Sequence, residues 1–269
     1  MTINATQSTR LALILVGTMG IGAATAGPLA IWGNEGFTQF ANDEGHLAGP
    51  GVGGQPFDAE YFYYKQDGDT LSIGLQTGFN VLTGSQLYNG DEYYYAGDLA
   101  LSFDNAVTPG AGAGSTYEYG IDFGLITRGF SGVDFSSTDS NTTGFVDMGS
   151  GTGQDAAGLY QVDAADWSND VIGAHHASDP FAMQGGTLVG NLSRNDAGLV
   201  GDSYYRIVSF SLTDLGLTGE LGIDAHWTMS CGNDFIDGGF TATVPEPTTL
   251  PLLGLGLLGL IAGRRKLVS

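Results

Sequence analysis

The sequence predicts an all-β protein: a single antiparallel, jelly-roll-like β-sandwich flanked by an N-terminal signal helix and a C-terminal transmembrane helix. Three observations carry this expectation. Through the middle of the chain, apolar residues return at every second position instead of every third or fourth, as half-buried strands require. Pieces rich in Gly, Asn and Asp (TPGAGAGS, DSNTTG, GSGTGQ, SRNDAG) interrupt that alternation at short intervals, which favours about ten strands in two sheets over long helices. Both ends carry an apolar run beside basic residues, while every Asp and Glu falls between Glu35 and Glu246. With 269 residues and 42% hydrophobic side chains, the chain is long enough for one large domain with a substantial core.

At the N-terminus, Arg10 precedes an apolar stretch from Leu11 to Ala24, and Ala24-Thr25-Ala26 closes it. A charged start, a short apolar run, and Ala24 and Ala26 at the −3 and −1 positions of a cut are the three parts of a cleavable signal peptide over 1–26. The competing reading is a membrane anchor. The run is shorter than the ~20 residues a span prefers, and Gly17, Gly20 and Gly22 weaken a lasting helix. Residues 27–56 are Gly-rich, lead into PGVGGQPF, and read as a loose lead-in to the sandwich.

The sandwich is expected over 57–243. One face of its first hairpin collects Leu71, Ile73 and Leu75; the next strand collects Leu99, Leu101 and Phe103; a third alternates Tyr117, Tyr119, Ile121 and Phe123. In DSYYRIVSFSL either face serves, Tyr204, Arg206, Val208 and Phe210 or Tyr205 and Ile207. Leu221, Ile223, Ala225, Trp227 and Met229 line up in ELGIDAHWTMSC. The best helical candidate is a single turn at Leu212–Gly216, closed by glycine. No fixed internal repeat argues for a solenoid or propeller.

The tail, residues 244–269, reads VPEPTTLPLLGLGLLGLIAGRRKLVS. A helix over about 249–263 is nearly all Leu, Gly, Ile and Ala. Counted from Thr248 to Gly263 it measures about 24 Å, a marginal span of a ~30 Å hydrocarbon core. Arg264, Arg265 and Lys266 form a basic stop that stays on the cytoplasmic side, leaving the body outside. Pro245 and Pro247 resist helix and hold an extended segment just outside the bilayer.

Pro245-Glu246-Pro247, the apolar run and Arg264-Arg265, in that order and spacing, resemble a PEP-CTERM sorting signal. The resemblance implies export by a Gram-negative bacterium and recognition by an exosortase that cuts near Pro245, Glu246 and Pro247 and discards the helix. It further implies transient anchoring in the inner membrane, a place at the cell surface, and association with exopolysaccharide and biofilm matrix. A second resemblance lies in the body. FDAEYFYYKQDGDTLSIGLQTGF, Gly97-Asp98 through Phe103-Asp104, Ser211 to Gly216 and HWTMSCGND succeed one another as in DOMON and family-nine carbohydrate-binding-module sandwiches. That resemblance implies a ligand-binding or structural sandwich without catalysis.

Charge narrows the function further. Between Glu35 and Glu246 only Lys65, Arg128, Arg194 and Arg206 stand against 29 acidic residues, so the body repels nucleic-acid phosphates and anionic lipid. The single cysteine, Cys231, excludes an internal disulfide and reads as a small buried hydrophobe or, alternatively, a nucleophile. Asp67, Asp69, Asp163 and Asp166 are calcium candidates, as are the stretches Asp134 to Asp139 and Asp163 to Asp170; plain turn-forming aspartates fit the same pattern. No other cofactor is implied. Tyr61, Tyr63, Tyr64, Tyr93, Tyr94, Tyr95 and Trp167 suggest either a sugar-stacking face, as in a carbohydrate-binding module for the cell's own exopolysaccharide, or sheet packing. His175 and His176 beside Asp179 read as a loop pair or a metal site. No nucleophile-elbow, zincin, Walker or dinucleotide motif occurs, so an enzyme, including a polysaccharide hydrolase, is not expected.

Overall fold

The computed structural model describes residues 27–43, 54–88, 92–104, 117–125, 157–168, 179–232 and 234–244. A short helix, α1 (Ala30–Glu35), precedes the strands, in which β1 (Thr38–Asn42), β2 (Ala59–Asp67) and β3 (Thr70–Thr77) run as an antiparallel meander. Next come β4 (Ser85–Tyr88), β5 (Glu92–Tyr95), β6 (Leu99–Ser102), β7 (Tyr119–Asp122), β8 (Gly158–Gln161), β9 (Trp167–Ser168) and β10 (Ala182–Met183). The chain continues with β11 (Thr187–Gly190), β12 (Arg194–Val200), β13 (Ser203–Ser211), β14 (Gly219–Thr228) and β15 (Phe235–Val244).

Two large antiparallel sheets result, β1-β2-β3-β13-β12 and β11-β8-β7-β6-β14-β15. One hydrophobic cluster draws on both: Phe62, Ile73, Val208 and Phe210 from the first meet Leu101, Ile121, Leu159, Ile223, Trp227 and Ile236 from the second. The all-β, antiparallel expectation therefore holds. The alternations read from β3, β6 and β14 all point into this cluster, Cys231 included, although Cys231 lies in the turn after β14 rather than in a strand. Tyr117 departs from its predicted partners. It precedes β7 and packs with Trp167 and Met183 in a second cluster.

The two candidate faces of β13 are both buried, for a physical reason. Val208 and Phe210 face the shared core, while Ile207 and Tyr205 face outward beneath α1, where Trp32, Phe37, Tyr61 and Tyr63 form their own cluster. Hence residues 30–42 are not the loose lead-in that their glycine content suggested. They supply a helix over one sheet and its edge strand. Trp32 stacks on Tyr63 with centroids 4.4 Å apart, and it lies over Gly74, where a Cβ would sit 2.4 Å from the ring. Tyr63 and Gly74 are cross-strand partners, so a bulky ring beside a missing side chain makes the seat for the indole.

The single-turn helix expected at Leu212–Gly216 forms as a 3-10 turn, Thr213–Leu215, closed by Gly216 at φ 68°. Among the described residues no helix is long and apolar enough to cross a membrane; the signal segment 1–26 and the tail helix about 249–263 lie outside them.

Candidate functional site

The last strand leads straight into the tail. Along β15 the side chains alternate, with Ala242 and Val244 in the shared core and Thr241 and Thr243 exposed. Pairing with β14 continues to the final residue, Val244 opposite Gly219 and Thr243 opposite Glu220. Val244 is buried, so the body stays packed up to the residue before Pro245. Phe240 of the same strand stacks on Tyr64 at 4.2 Å and meets Phe40 at 4.7 Å, joining the edge of one sheet to β1 and β2 of the other. Gly238 permits this approach, since a Cβ there would lie 2.5 Å from that of Ala41.

Gln66, at the end of β2, closes the junction. Its Oε1 accepts from the Thr243 backbone N–H at 3.2 Å, and its Nε2 donates to the Thr243 carbonyl and, at 2.9 Å, to that of Gly68. The side-chain amide thus reproduces the two hydrogen bonds that a neighbouring strand would make to one residue of a sheet edge. Pro245, Glu246, Pro247, Arg264, Arg265 and Lys266 lie outside the described residues, as do Ala24 and Ala26.

The other end of the body is held by a buried network. The Gly27 carbonyl accepts from Gln76 Nε2 at 3.0 Å, and the Leu29 N–H and Trp32 Nε1 donate to Gln76 Oε1 at 3.0 and 2.7 Å. Gln76 in turn donates to Glu60 at 2.6 Å, and Gln55 and Ser203 donate to the other carboxylate oxygen at 2.7 and 2.8 Å. Glu60 is the extra residue where the β2–β3 register slips. Burial, opposed by those three donors, pushes its carboxyl up to about 7. Below it, Asp234 accepts from the Ala59 N–H at 2.7 Å, and burial together with the Asp43 carboxyl pushes it up to about 8.

The aspartates singled out as calcium candidates have local duties. Asp69 lies in the β2–β3 turn and accepts from the Ser211 and Thr213 hydroxyls, both at 3.0 Å, which hold its carboxyl below the ordinary range. Asp67 closes β2, before that turn. Asp163 and Asp166 form a reciprocal capping box around a 3-10 turn at Ala164–Asp166. Among the described residues no group of three or more His, Cys, Asp or Glu is arranged to hold a metal. Asp134 to Asp139, Asp170, His175 and His176 lie outside them.

The candidate aromatic residues whose side chains are described do not gather on one exposed face; the side chain of Tyr93 lies outside the description. Tyr61 and Tyr63 are buried under α1, Tyr64 is stacked on Phe240, and Tyr94 packs edge-on to Phe57. Tyr95 packs with Phe181, and Trp167 is buried with its Nε1 donating to the Tyr117 carbonyl at 3.1 Å. Sheet packing is the outcome, because β2 has apolar cover on both sides. The described cations of the body are engaged in the same way. Arg194 grips Glu35 with both terminal nitrogens, at 2.5 and 3.0 Å, and Lys65 donates to the Glu35 carbonyl at 2.8 Å. Arg206 is buried over the Phe123 ring and donates to the Val81 carbonyl. Burial brings its guanidinium down to about 10.

One constellation gave no signal in the sequence. His226 Nδ1 lies 2.5 Å from Asp237 Oδ1, where β14 and β15 set the two residues opposite each other, with Tyr117 and Phe235 against the ring. Asp224 stands two residues away on β14, its carboxyl raised by burial and by the nearby Asp104 and Asp237. Only the register of the two strands brings together these two residues, eleven positions apart in sequence.

Comparison with known proteins matches one region. A family described as the PEP-CTERM protein-sorting motif covers residues 243–266. No curated protein and no solved structure matches the chain. The tail is therefore a PEP-CTERM sorting signal, recognised by an exosortase, and it marks an exported, cell-surface protein. The motif begins at Thr243, the residue that Gln66 holds.

Proposed function

We propose that the body is a non-catalytic β-sandwich of the extracellular exopolysaccharide matrix, freed from its tail by exosortase cleavage at Pro245-Glu246-Pro247. In this reading the signal peptide over 1–26 starts export, and the apolar tail holds the chain in the inner membrane only until the cut. The observation that carries it is the match at 243–266, whose start coincides with the end of the last core strand.

The body's polar groups support a structural rather than catalytic role. The buried carboxylates with raised pKa values sit among backbone N–H groups and amides that fix strand ends, and the described cations tie down α1 or hold loop carbonyls. With those cations engaged, the acidic side chains dominate the outer surface, which suits a protein that must stay dispersed in a hydrated polymer.

The test is processing in a host that has an exosortase. The original chain is expected to yield a surface-released protein lacking Leu250 onward, whereas replacing Pro245, Glu246 and Pro247 by alanine leaves the precursor in the membrane fraction. Equal release of both proteins would sink the sorting reading. For the body, the mature protein is expected to co-extract with exopolysaccharide and to release no reducing sugar from it.

A further inference from the structure

The structure assigns Gln66 a positioning role in this processing: its side-chain amide holds Thr243, and with it Val244, in the sheet, so that the cut falls beyond Val244. The inference rests on the sorting reading of the tail and adds to it the device that sets the boundary. Cleavage needs the scissile peptide itself to be extended and accessible, and a peptide bond held in a sheet is neither until the strand opens locally.

Among the described residues β15 is the last strand of its sheet, so at its end the side facing away from β14 has no neighbouring strand in that sheet. Such an end frays unless something takes up its outward N–H and C=O groups. Gln66 takes up both at Thr243, the penultimate residue of the strand, from 177 positions away in sequence. Val244 then follows with its side chain in the core and its backbone paired to Gly219. Two anchors of different kinds therefore precede Pro245, a core side chain and a clamped peptide unit. Pro245 lacks an N–H and cannot extend the ladder.

Gln66 is well suited to this task. Its amide offers one acceptor and two donors, enough for both Thr243 groups and for the Gly68 carbonyl that orients it. Gln66→Glu keeps the acceptor for the Thr243 N–H and loses the donor to its carbonyl. Gln66→Ala loses both.

The test compares the full-length chain with Gln66→Ala, Gln66→Glu and, as a control, Gln86→Ala. Gln86 is a glutamine of β4 whose amide donates only to its neighbour Leu87. The C-terminal residue of the surface-released protein is read by intact mass. The original and the control are expected to give one boundary, on the C-terminal side of Val244. Gln66→Ala is expected to give a several-fold larger share of ends within Thr241–Val244, and Gln66→Glu an intermediate share. An identical boundary in Gln66→Ala overturns the proposal. Digestion of the purified chains with a broad-specificity protease reads the same boundary without an exosortase: if the original is trimmed past Val244 as readily as Gln66→Ala, the proposal fails even where the sorting reading stands. If the host leaves the original chain and the alanine-substituted motif equally unprocessed, the sorting reading fails while this digestion still decides the clamp.

Discussion

A glutamine side chain holds each end of the body, and the two do so by contrasting means. At Gly27 and Leu29, Gln76 is fully buried, backed by the Glu60 carboxyl and roofed by Trp32. At Thr243, Gln66 lies at the surface with no ionisable group in the clamp and water within reach. Both make hydrogen bonds to the chain's own backbone. Their energetic roles differ because burial sets the consequence of losing a partner. An unpaired group in the interior costs about 1–3 kcal/mol, whereas an exposed one is rehydrated. The start of the body is thus integrated into the fold, while its end is guided and remains accessible to an enzyme.

Removing Trp32 would break this contrast most severely. Its ring is stacked on Tyr63, edged by Phe37 and Tyr205, and bonded to Gln76 through Nε1. Trp32→Ala is expected to lower unfolding free energy by about 4 kcal/mol, as for other large buried aromatics. Denaturant titration of the purified protein measures it. A change below about 1 kcal/mol would mean that α1 merely rests on the sheet.

Titration sharpens the contrast next. Glu60 ionises near 7 in the folded body but in the ordinary carboxylate range when unfolded, so the folded state holds more protons between those values. The stability Glu60 contributes is then fully present below the ordinary carboxylate range and is lost as pH rises through about 7. The neighbouring Asp58 carboxyl works in the same direction. Asp234, pushed up to about 8 beside Asp43, extends the decline upward. The expected fall is roughly 2–3 kcal/mol for Glu60 alone, read as a melting temperature that decreases from pH 5 to pH 8. Glu60→Gln should flatten the part of this slope below pH 7 while lowering stability throughout, because it sets an amide N–H against that of Gln76. A slope unchanged in Glu60→Gln would remove Glu60 as its source.

The legibility of the two ends in the sequence follows the same physics. The C-terminal signal is linear: Pro245, the apolar run and Arg264-Arg265 act through local order along the chain, so they can be read without a fold. Alternation in β3 and β14 was equally legible, since each strand's burial pattern is written in its own residues. The N-terminal seat was not. Trp32 lies in a short apolar piece, LAIW, whose partners Tyr63, Gly74 and Gln76 come from other strands, and the surrounding glycines suggested a loose segment. The tyrosines of β2 misled for a related reason. A strand covered on both faces shows aromatics at every position, which resembles a binding platform until the covering helix is seen. Gln66 with Thr243 and His226 with Asp237 depend on register and sheet order, and neither leaves a local trace.

The smallest expected effect concerns the C-terminal clamp itself. Gln66→Ala removes hydrogen bonds at an exposed position, and water can replace each of them, so global stability is expected to fall by only about 0.5 kcal/mol. Nor should that small loss vary between pH 5 and pH 8, since neither Gln66 nor the Thr243 peptide titrates. Paired melting curves of the original and Gln66→Ala at both pH values check this. Local opening behaves differently from global unfolding. The last residues of β15 are held by the Ala242 and Val244 side chains, the β14 ladder and this clamp, so a loss that is minor for the whole fold is a large share of what holds Thr243. Amide exchange is therefore expected to quicken several-fold at Thr243 and to stay unchanged at the β13 amides that pair with β3. Equal protection at Thr243 in both proteins would show that the β14 ladder alone holds the strand end.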